Sequence, residues 1–325
     1  MIKAGIVEGT GYKAGELIRL LLNHPDVQLM WVSAEGREGV PVSRLHRGLT
    51  GDTDLRTTDR GDLSVVNVVF LCHPDGNTAS WLAENAPGDD VCVIDLSADY
   101  RIADKEEDNH GLVYGIPEYN RKPLVRGAKR AVCPGELAMA LELSLLPLAK
   151  HLMLNSDIHT TAVIGSSGAG ESLNEDVHTM RADNISPSAL LAHDDIAEVA
   201  CLLGELQTSF KSDIHVVGLN GPFSRGLIAV TYLDCAVGIE ELRRIYEEYY
   251  DDHNFTFISD VRPDLKDVVN TNKCLLHLQK VGDELVIVAV IDNLLKGSAG
   301  NAVHVMNLLF GLQEQTGLKL KASAL

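Results

Sequence analysis

Apolar and helical segments alternate along the first hundred residues. Four apolar runs have the length of buried strands: Ile2–Val7, Val27–Val32, Val65–Cys72 and Val91–Leu96. Between the first two, Ala14–Leu22 carries leucines at helical spacing on one face. The two later runs are rich in β-branched residues, which is typical of strands covered on both sides. This order of strand, helix and strand predicts a parallel sheet with right-handed crossovers.

The pattern changes after about residue 155. Strands are predicted, in chain order, at Thr160–Gly165, Ile214–Leu219, Leu227–Leu233, Phe255–Ser259, Cys274–Lys280 and Leu285–Ile291. Helices are predicted at Asp194–Ser209, Ile239–Asp251 and Ala299–Leu312. Because several strands follow one another without a crossover helix, we expect a mixed or antiparallel sheet here. The predicted boundaries are residues 1–155, completed by 293–325, for the first domain and 156–292 for the second.

Composition narrows the functional classes. The chain has 325 residues, 45% of them hydrophobic and 23% charged, which excludes extensive disorder. A net charge of −18 disfavours nucleic acid and anionic membranes as partners. No apolar run reaches the length of about 18 residues that a membrane-spanning helix needs. The six cysteines are scattered without a CxxC pair, so we expect a reducing, cytoplasmic compartment and no metal site.

A glycine-containing turn follows the first strand and opens the first helix. Its residues are Gly9, Thr10, Gly11, Tyr12, Lys13 and Ala14, which fit the pattern G-x-G-x-x-G/A. Such a turn brings backbone N–H groups and the positive helix end to a pyrophosphate. A plain tight turn is the alternative. With the parallel sheet, the motif predicts an α/β fold: a Rossmann-like dinucleotide-binding domain joined to an α+β domain with a mixed sheet.

Neighbouring charges bear on the cofactor. Glu8 precedes the turn, and its carboxylate predicts weaker binding by repelling the pyrophosphate, which Lys13 could offset. Ser33 to Arg37 follow the second strand, where ribose is recognised. An acidic side chain there, such as that of Glu35, suits a free ribose hydroxyl, whereas Arg37 suits a 2′-phosphate. The residues leave the choice between NAD and NADP open.

Several segments, in order along the chain, resemble the N-acetyl-gamma-glutamyl-phosphate reductase family. They are Gly9–Leu17 with Leu20–Pro25, Asp95–Arg101 (D-L-S-x-D-Y-R), Tyr114–Glu118 (Y-G-[LI]-P-E), Gly165–Gly170 (S-G-A-G), Arg225-Gly226 and Asp292–Gly300. The resemblance implies a two-domain fold in which the last helix returns to the first domain. It also implies reduction of an N-acylglutamyl phosphate by NADPH to the semialdehyde in arginine biosynthesis, through a cysteine thioester with a histidine acid/base.

The resemblance also places site residues on this chain. Cofactor contacts are expected from the turn at residues 9–14, Ser33, Arg37, Ser167, Gly168 and Asn293. Substrate contacts are expected from Arg101, Arg225 and His178. The partner is then a small anionic substrate, an N-acylglutamyl phosphate or its semialdehyde. Because Leu227–Leu233 and Leu285–Ile291 are apolar on both faces, we also expect a homodimer or homotetramer formed through the second domain.

Two positions depart from the family pattern. The family's N-P-G-C segment reads Cys133-Pro134-Gly135-Glu136 here, so Glu136 occupies the nucleophile position. Cys133 is either a displaced nucleophile or a buried structural cysteine. In the family's H-x-H-x-P-E segment His193 remains, but the second histidine is Asp195. Two hypotheses follow: an active reductase of the family, or an inactive homologue that binds ligands, regulates or serves as a silent subunit.

Overall fold

The computed structural model describes residues 1–102, 110–169 and 176–323, without the side chains of residues 169 and 176–178. The chain divides into two compact units. Unit 1 comprises residues 1–134 and 298–319, and unit 2 comprises residues 135–297 and 320–325. Of the helices within the described ranges, none is long and apolar enough to cross a membrane.

Unit 1 is built on a six-stranded parallel sheet with the order β2-β1-β3-β4-β6-β5. Its elements are β1 (Ile2–Val7), α1 (Tyr12–Leu22), β2 (Val27–Val32), α2 (Val42–Leu45), β3 (Val68–Leu71), α3 (Thr78–Asn85), β4 (Cys92–Asp95), β5 (Leu112–Tyr114), α4 (Pro117–Val125) and β6 (Arg130–Val132). Strands β3 and β4 are buried along their whole length, as their continuous apolar runs predicted.

Unit 2 contains a seven-stranded mixed sheet with the order β11-β12-β13-β10-β7-β9-β8. Its elements are α5 (Glu136–Lys150), β7 (Ile158–Ile164), α6 (Asp176–Arg181), β8 (Ser186–Leu190), α7 (Asp195–Leu206), β9 (Ile214–Asn220), β10 (Leu227–Asp234), α8 (Ile239–Tyr250), β11 (Thr256–Ile258), β12 (Cys274–Val281) and β13 (Glu284–Ile291). The β11–β12 and β7–β9 pairs are parallel, and the other pairs are antiparallel. The predicted fold class is thereby confirmed.

The last helix, α9 (Gly300–Leu309), belongs to unit 1, where it packs against α1, α4 and β4. A short π-helical segment, Leu295–Ala299, leads into it. The division between the units falls at residue 134 rather than near 155, because α5 packs on β10, β13 and α7. It falls again at residue 298 rather than 293, so that Asp292 and Asn293 lie in unit 2.

The two faces of the unit 2 sheet differ. Along β10, Leu227, Ala229 and Leu233 are buried on the face that α5 contacts, whereas the alternating residues are half-buried or exposed. Within this chain α5 covers one face of the sheet, and Val230 and Tyr232 lie on the other, which is half-buried or exposed. Tyr232, the aromatic residue of this strand, is 41% exposed.

Candidate active site in unit 2 and dinucleotide site in unit 1

The N-terminus of helix α5 is occupied by carboxylates from helix α7. Gly135 is the N-cap in an extended conformation, and Glu136 is the first helical residue. One oxygen of Asp195 accepts the N–H groups of Leu137 (3.1 Å) and Ala138 (3.0 Å). Glu198 accepts the N–H of Gly135 at 3.1 Å. These carboxylates therefore satisfy three of the backbone donors that a helix leaves unpaired at its start.

Glycines pack tightly around this helix start. A Cβ on Gly135 would lie 2.6 Å from a carboxylate oxygen of Asp195. A Cβ on Gly168 would lie 2.5 Å from Oε1 of Glu136, and one on Gly297 would lie 3.0 Å from its Cβ. The half-buried Glu136 side chain thus lies between the turn at residues 165–168 and the segment before α9.

Asn293 connects Glu136 to the turn of the S-G-A-G motif. Its Oδ1 accepts the N–H of Gly226 at 2.7 Å, which identifies Nδ2 as the donor side of the amide. That Nδ2 donates to Ser167 Oγ (3.1 Å) and to Glu136 Oε2 (3.3 Å). The structure therefore brings together Glu136, Ser167, Gly168 and Asn293, all of which were predicted as site residues.

Arg225 is held by a buried carboxylate. Its Nε lies 2.6 Å from Oδ2 of Asp292, a residue with no solvent exposure. Asp292 also accepts backbone N–H groups from Asn270 (2.6 Å) and Leu294 (2.9 Å). Burial raises the pKa of the Asp292 carboxyl, while the Arg225 charge and these hydrogen bonds oppose the shift. The guanidinium of Arg225 is thereby fixed in one plane, which suits bidentate recognition of a carboxylate or phosphate.

Asp195, which stands at the position of the family's second histidine, caps a helix in this structure. Both N–H groups that Asp195 accepts belong to the α5 start, so its carboxylate acts as a helix cap. His193 Nδ1 accepts the N–H of Asp195 at 3.2 Å, which assigns the ring proton to Nε2 in the neutral form. His193 and Asp195 are therefore neighbours at the start of α7. The side chain of His178 lies outside the described part of the structure, as does Gly170 of the turn.

Cys133 lies in unit 1, immediately after β6, and is 1% exposed. Burial, with a further contribution from the charge of Asp95, raises the pKa of its thiol to about 12. Its carbonyl accepts Nε of Arg101 at 3.1 Å. A thiol with this pKa is almost entirely protonated at neutral pH, and the thiolate is the nucleophilic form. The geometry therefore favours the buried structural cysteine over the displaced nucleophile.

The turn after β1 has the geometry that a pyrophosphate requires. Gly11 caps α1, and no atom lies within 4 Å of the position that a Cβ would take there. A Cβ on Gly9 would lie 2.1 Å from Cγ1 of Val32, so this close approach to β2 requires glycine. Lys13 is exposed in the first turn of α1. The residues from Gly9 to Ala14 thus fit a dinucleotide.

The Glu8 carboxylate does not lie where the sequence predicts, which is beside the pyrophosphate. Its backbone is left-handed, with φ of 54°, and its Oε1 accepts the N–H of Glu35 at 3.1 Å. The carboxylate therefore lies at the end of β2, on the ribose side, and not at the pyrophosphate turn. Ser33 is buried there, and its N–H donates to Ile6 at 2.8 Å, while Arg37 is exposed.

Three polar residues of unit 2 were not predicted from the sequence. They are Glu198, Asp292 in its role as partner of Arg225, and Asn270, whose φ of 70° brings its N–H to Asp292. The carboxylate of Glu198 three residues after that of Asp195 was the one available signal, because this spacing places both on one side of α7.

Comparison with known proteins assigns both units. Residues 3–126 match the family model described as semialdehyde dehydrogenase, NAD binding domain. Residues 137–293 match the model described as semialdehyde dehydrogenase, dimerisation domain. Among solved structures, aspartate semialdehyde dehydrogenase II of Vibrio cholerae covers 96% of this chain and 98% of its own, with a TM-score of 0.75 and 17% identity. The enzyme of Candida albicans, solved with NADP, has a TM-score of 0.69 and 16% identity, covering 95% and 98% of the two chains. These structural likenesses confirm the two-domain fold.

Proteins found by sequence comparison have a higher identity to this chain than these solved structures have. The N-acetyl-gamma-glutamyl-phosphate reductase of Parabacteroides distasonis is 50% identical over 325 residues, which are 100% of both chains. Its counterpart in Bacteroides thetaiotaomicron is 46% identical over the same length and coverage. The proteins in this comparison are oxidoreductases by name, which gives no support to the hypothesis of an inactive homologue. The resemblance seen in the sequence is confirmed, and the chain belongs to the N-acetyl-gamma-glutamyl-phosphate reductase family, whose nicotinamide cofactor is NADPH.

Proposed function

We propose that this chain reduces an N-acyl-γ-glutamyl phosphate to the corresponding semialdehyde with release of phosphate. The observation that carries the proposal is the full-length identity of 50% to a reductase of that name. Asn293 and Ser167 beside Glu136 at the start of α5, and Arg225 held by Asp292, support it. The substrate is small and anionic, as the family's substrates are.

Arg225 is the candidate carboxylate clamp. Its guanidinium is oriented by the buried Asp292 carboxylate at 2.6 Å, and the planar fork matches the α-carboxylate of a glutamyl substrate. Asn293 is held by the N–H of Gly226, so its amide donor stays aimed at Ser167 and Glu136. We infer that these two side chains position the substrate at the start of α5.

A nicotinamide dinucleotide, when bound, supplies a hydride. Because Glu136 stands at the start of α5 and the Cys133 thiol has a pKa of about 12, we infer that the acyl carbon accepts the hydride without first forming a thioester. If a reduced nicotinamide dinucleotide supplied the hydride and was itself oxidised, one C–H bond would form at the acyl carbon and the C–O bond to phosphate would break, which would leave the semialdehyde and free phosphate. An acyl phosphate is already activated, so this route does not require a better leaving group.

A second candidate function is binding of the same ligands without turnover. One specific observation favours it: Asp195 and Glu198 already occupy the donors at the α5 start. In a reductase that uses a thiolate, this helix end would lower the thiol pKa. In this chain the carboxylates of Asp195 and Glu198 offset the positive potential at this helix end.

An assay that follows the oxidation of reduced cofactor with chemically prepared N-acetylglutamyl phosphate distinguishes these candidates. The proposal predicts cofactor oxidation that matches semialdehyde formation one to one and is unchanged in Cys133→Ala. Arg225→Lys should raise KM more than it lowers kcat, because the charge remains and the fork is lost. Arg262→Lys is the matched control, because Arg262 is an exposed arginine that donates to Gln279 of β12 at 3.1 Å. Absence of turnover together with saturable binding of the acyl phosphate would select the second candidate.

We further propose that the chain forms a homodimer through the half-exposed face of the unit 2 sheet. That face presents Val230, Tyr232 and Val288, and it continues through the stacked rings of His159 and His215. The description of the matching family model as a dimerisation domain supports the proposal. No disulfide joins the six cysteines, all of which lie in the described ranges, and this supports a cytoplasmic location.

A further inference from the structure

A cavity of about 560 Å³ opens beside the phosphate-binding turn, within unit 1. It lies where β1 and β2 end, and Val7, Ser33 and Gly36 contribute to its wall. Trp31 and Trp81 provide its aromatic surface. In a Rossmann-like domain this position receives the adenosine half of a dinucleotide, with the ribose at the end of the second strand.

The charge of this cavity is strongly negative. Four of its lining residues carry carboxylates: Glu8, Glu35, Asp59 and Glu84. Arg60 is the one cation among the residues that line it in the described part of the chain. Arg37, the residue expected to receive a 2′-phosphate, is exposed and is not among them. A ribose with a 2′-phosphate would therefore enter a field of like charge, which is costly in a partly enclosed site.

Glu8 and Glu35 are held together by a hydrogen bond. Glu8 adopts a left-handed backbone with φ of 54°, a conformation that is unfavourable for residues other than glycine. This backbone brings its carboxylate to the N–H of Glu35 at 3.1 Å. The bond holds the loop after β2 with the two acidic residues side by side. A carboxylate at this point accepts a hydrogen bond from a free ribose hydroxyl.

We propose that Glu8 and Glu35 make this chain selective for NAD(H), whose ribose 2′-hydroxyl is free, over NADP(H). The inference departs from the NADPH that the family uses, and it rests on the proposed function only in taking a nicotinamide dinucleotide as the cofactor. The pyrophosphate turn fits both dinucleotides, so the discrimination lies in the ribose pocket alone.

Titration of the purified full-length protein with NADH and with NADPH, followed by nicotinamide fluorescence and calorimetry, tests the selectivity without any turnover. NADH should bind at least about tenfold more tightly than NADPH at 50 mM salt, and the ratio should shrink at 0.5 M salt because the charges are exposed. Glu35→Gln and Glu8→Gly should each lower the ratio severalfold, since each removes one carboxylate from the pocket. Glu38→Gln is the matched control, an exposed glutamate of the same loop outside the cavity.

Three results would overturn the inference: NADPH binding as tightly as NADH, a ratio unchanged in both pocket variants, or no measurable binding of either dinucleotide. Failure of the proposed function gives a different result. Selective NADH binding with no reduction of the acyl phosphate would leave this inference standing and remove the reductase activity.

Discussion

The carboxylate of Asp195 is expected to stabilise unit 2 by capping helix α5, and its removal tests this role. Asp195→Ala leaves the N–H groups of Leu137 and Ala138 without their acceptor, at a site where the residue is 9% exposed. A buried donor that loses its partner costs about 1–3 kcal/mol. Loss of an N-cap alone costs about 1 kcal/mol.

Two such donors therefore predict a loss of about 2–3 kcal/mol in the free energy of unfolding, after allowance for water entering the space of the missing side chain. For a folding unit of the size of unit 2, each kcal/mol lowers Tm by about 2–4 °C. Asp195→Asn keeps an oxygen acceptor and loses only the interaction of the charge with the helix end, about 1 kcal/mol or less.

Thermal and urea unfolding, followed by far-UV circular dichroism, measure these differences. Asp194→Ala is the matched control, because Asp194 is exposed, adjacent, and makes no side-chain capping bond. The capping role of Asp195 would be excluded if Asp195→Ala changed the free energy of unfolding by no more than Asp194→Ala does. The same conclusion would follow if Asp195→Asn lowered the free energy of unfolding as much as Asp195→Ala.

Three further predictions concern other parts of the chain. Cys133 should resist iodoacetamide in the native protein at pH 8, because a pKa of about 12 leaves about one thiolate in ten thousand, and reactivity should rise as the pH approaches 12; fast labelling of Cys133 at pH 8, mapped by peptide mass spectrometry, would contradict its burial. Glu8→Gly should raise the free energy of unfolding by about 1 kcal/mol, because glycine adopts a φ of 54° without strain; a decrease in urea unfolding would show that the bond to Glu35 outweighs the strain. Val230→Asp should convert a dimer into a monomer in sedimentation at micromolar concentration, because Val230 faces outward beside Val288, whereas exposed Val261→Asp should leave the dimer intact; a monomeric parent protein would remove the proposed interface.

Local pattern predicted four of the six strands of the unit 1 sheet and six of the seven strands of the unit 2 sheet. It did not predict β5 and β6, which have three residues each. β1 and β2 have the expected bounds because their apolar runs are short and closed by polar residues. The pattern did not predict β8, whose sequence Ser186–Leu190 contains a proline and lies at the exposed edge of its sheet. The hydrophobic period also did not define α5, because residues 137–149 are buried on every side and leave no polar face.

The candidate site was predictable as a set of residues and not as an arrangement. The sequence places Glu136 and Asp195 59 positions apart, and only folding shows that Asp195 binds the helix that Glu136 begins. The direction of the Glu8 side chain depends on a left-handed backbone angle, which cannot be predicted from a glutamate in the sequence. Likewise, the buried partner of Arg225 is 67 residues away along the chain.

A single-turnover reaction tests most directly whether the chain reduces an acyl phosphate without a thioester. Enzyme in excess is mixed with N-acetylglutamyl phosphate and reduced cofactor, quenched with acid, and examined both for semialdehyde and, by intact-protein mass spectrometry, for an acyl adduct. Reduction without a thioester predicts semialdehyde in proportion to the cofactor oxidised and no adduct at any time, in the parent protein and in Cys133→Ala alike. An acyl adduct on Cys133, or the absence of semialdehyde above the protein-free background, would contradict it.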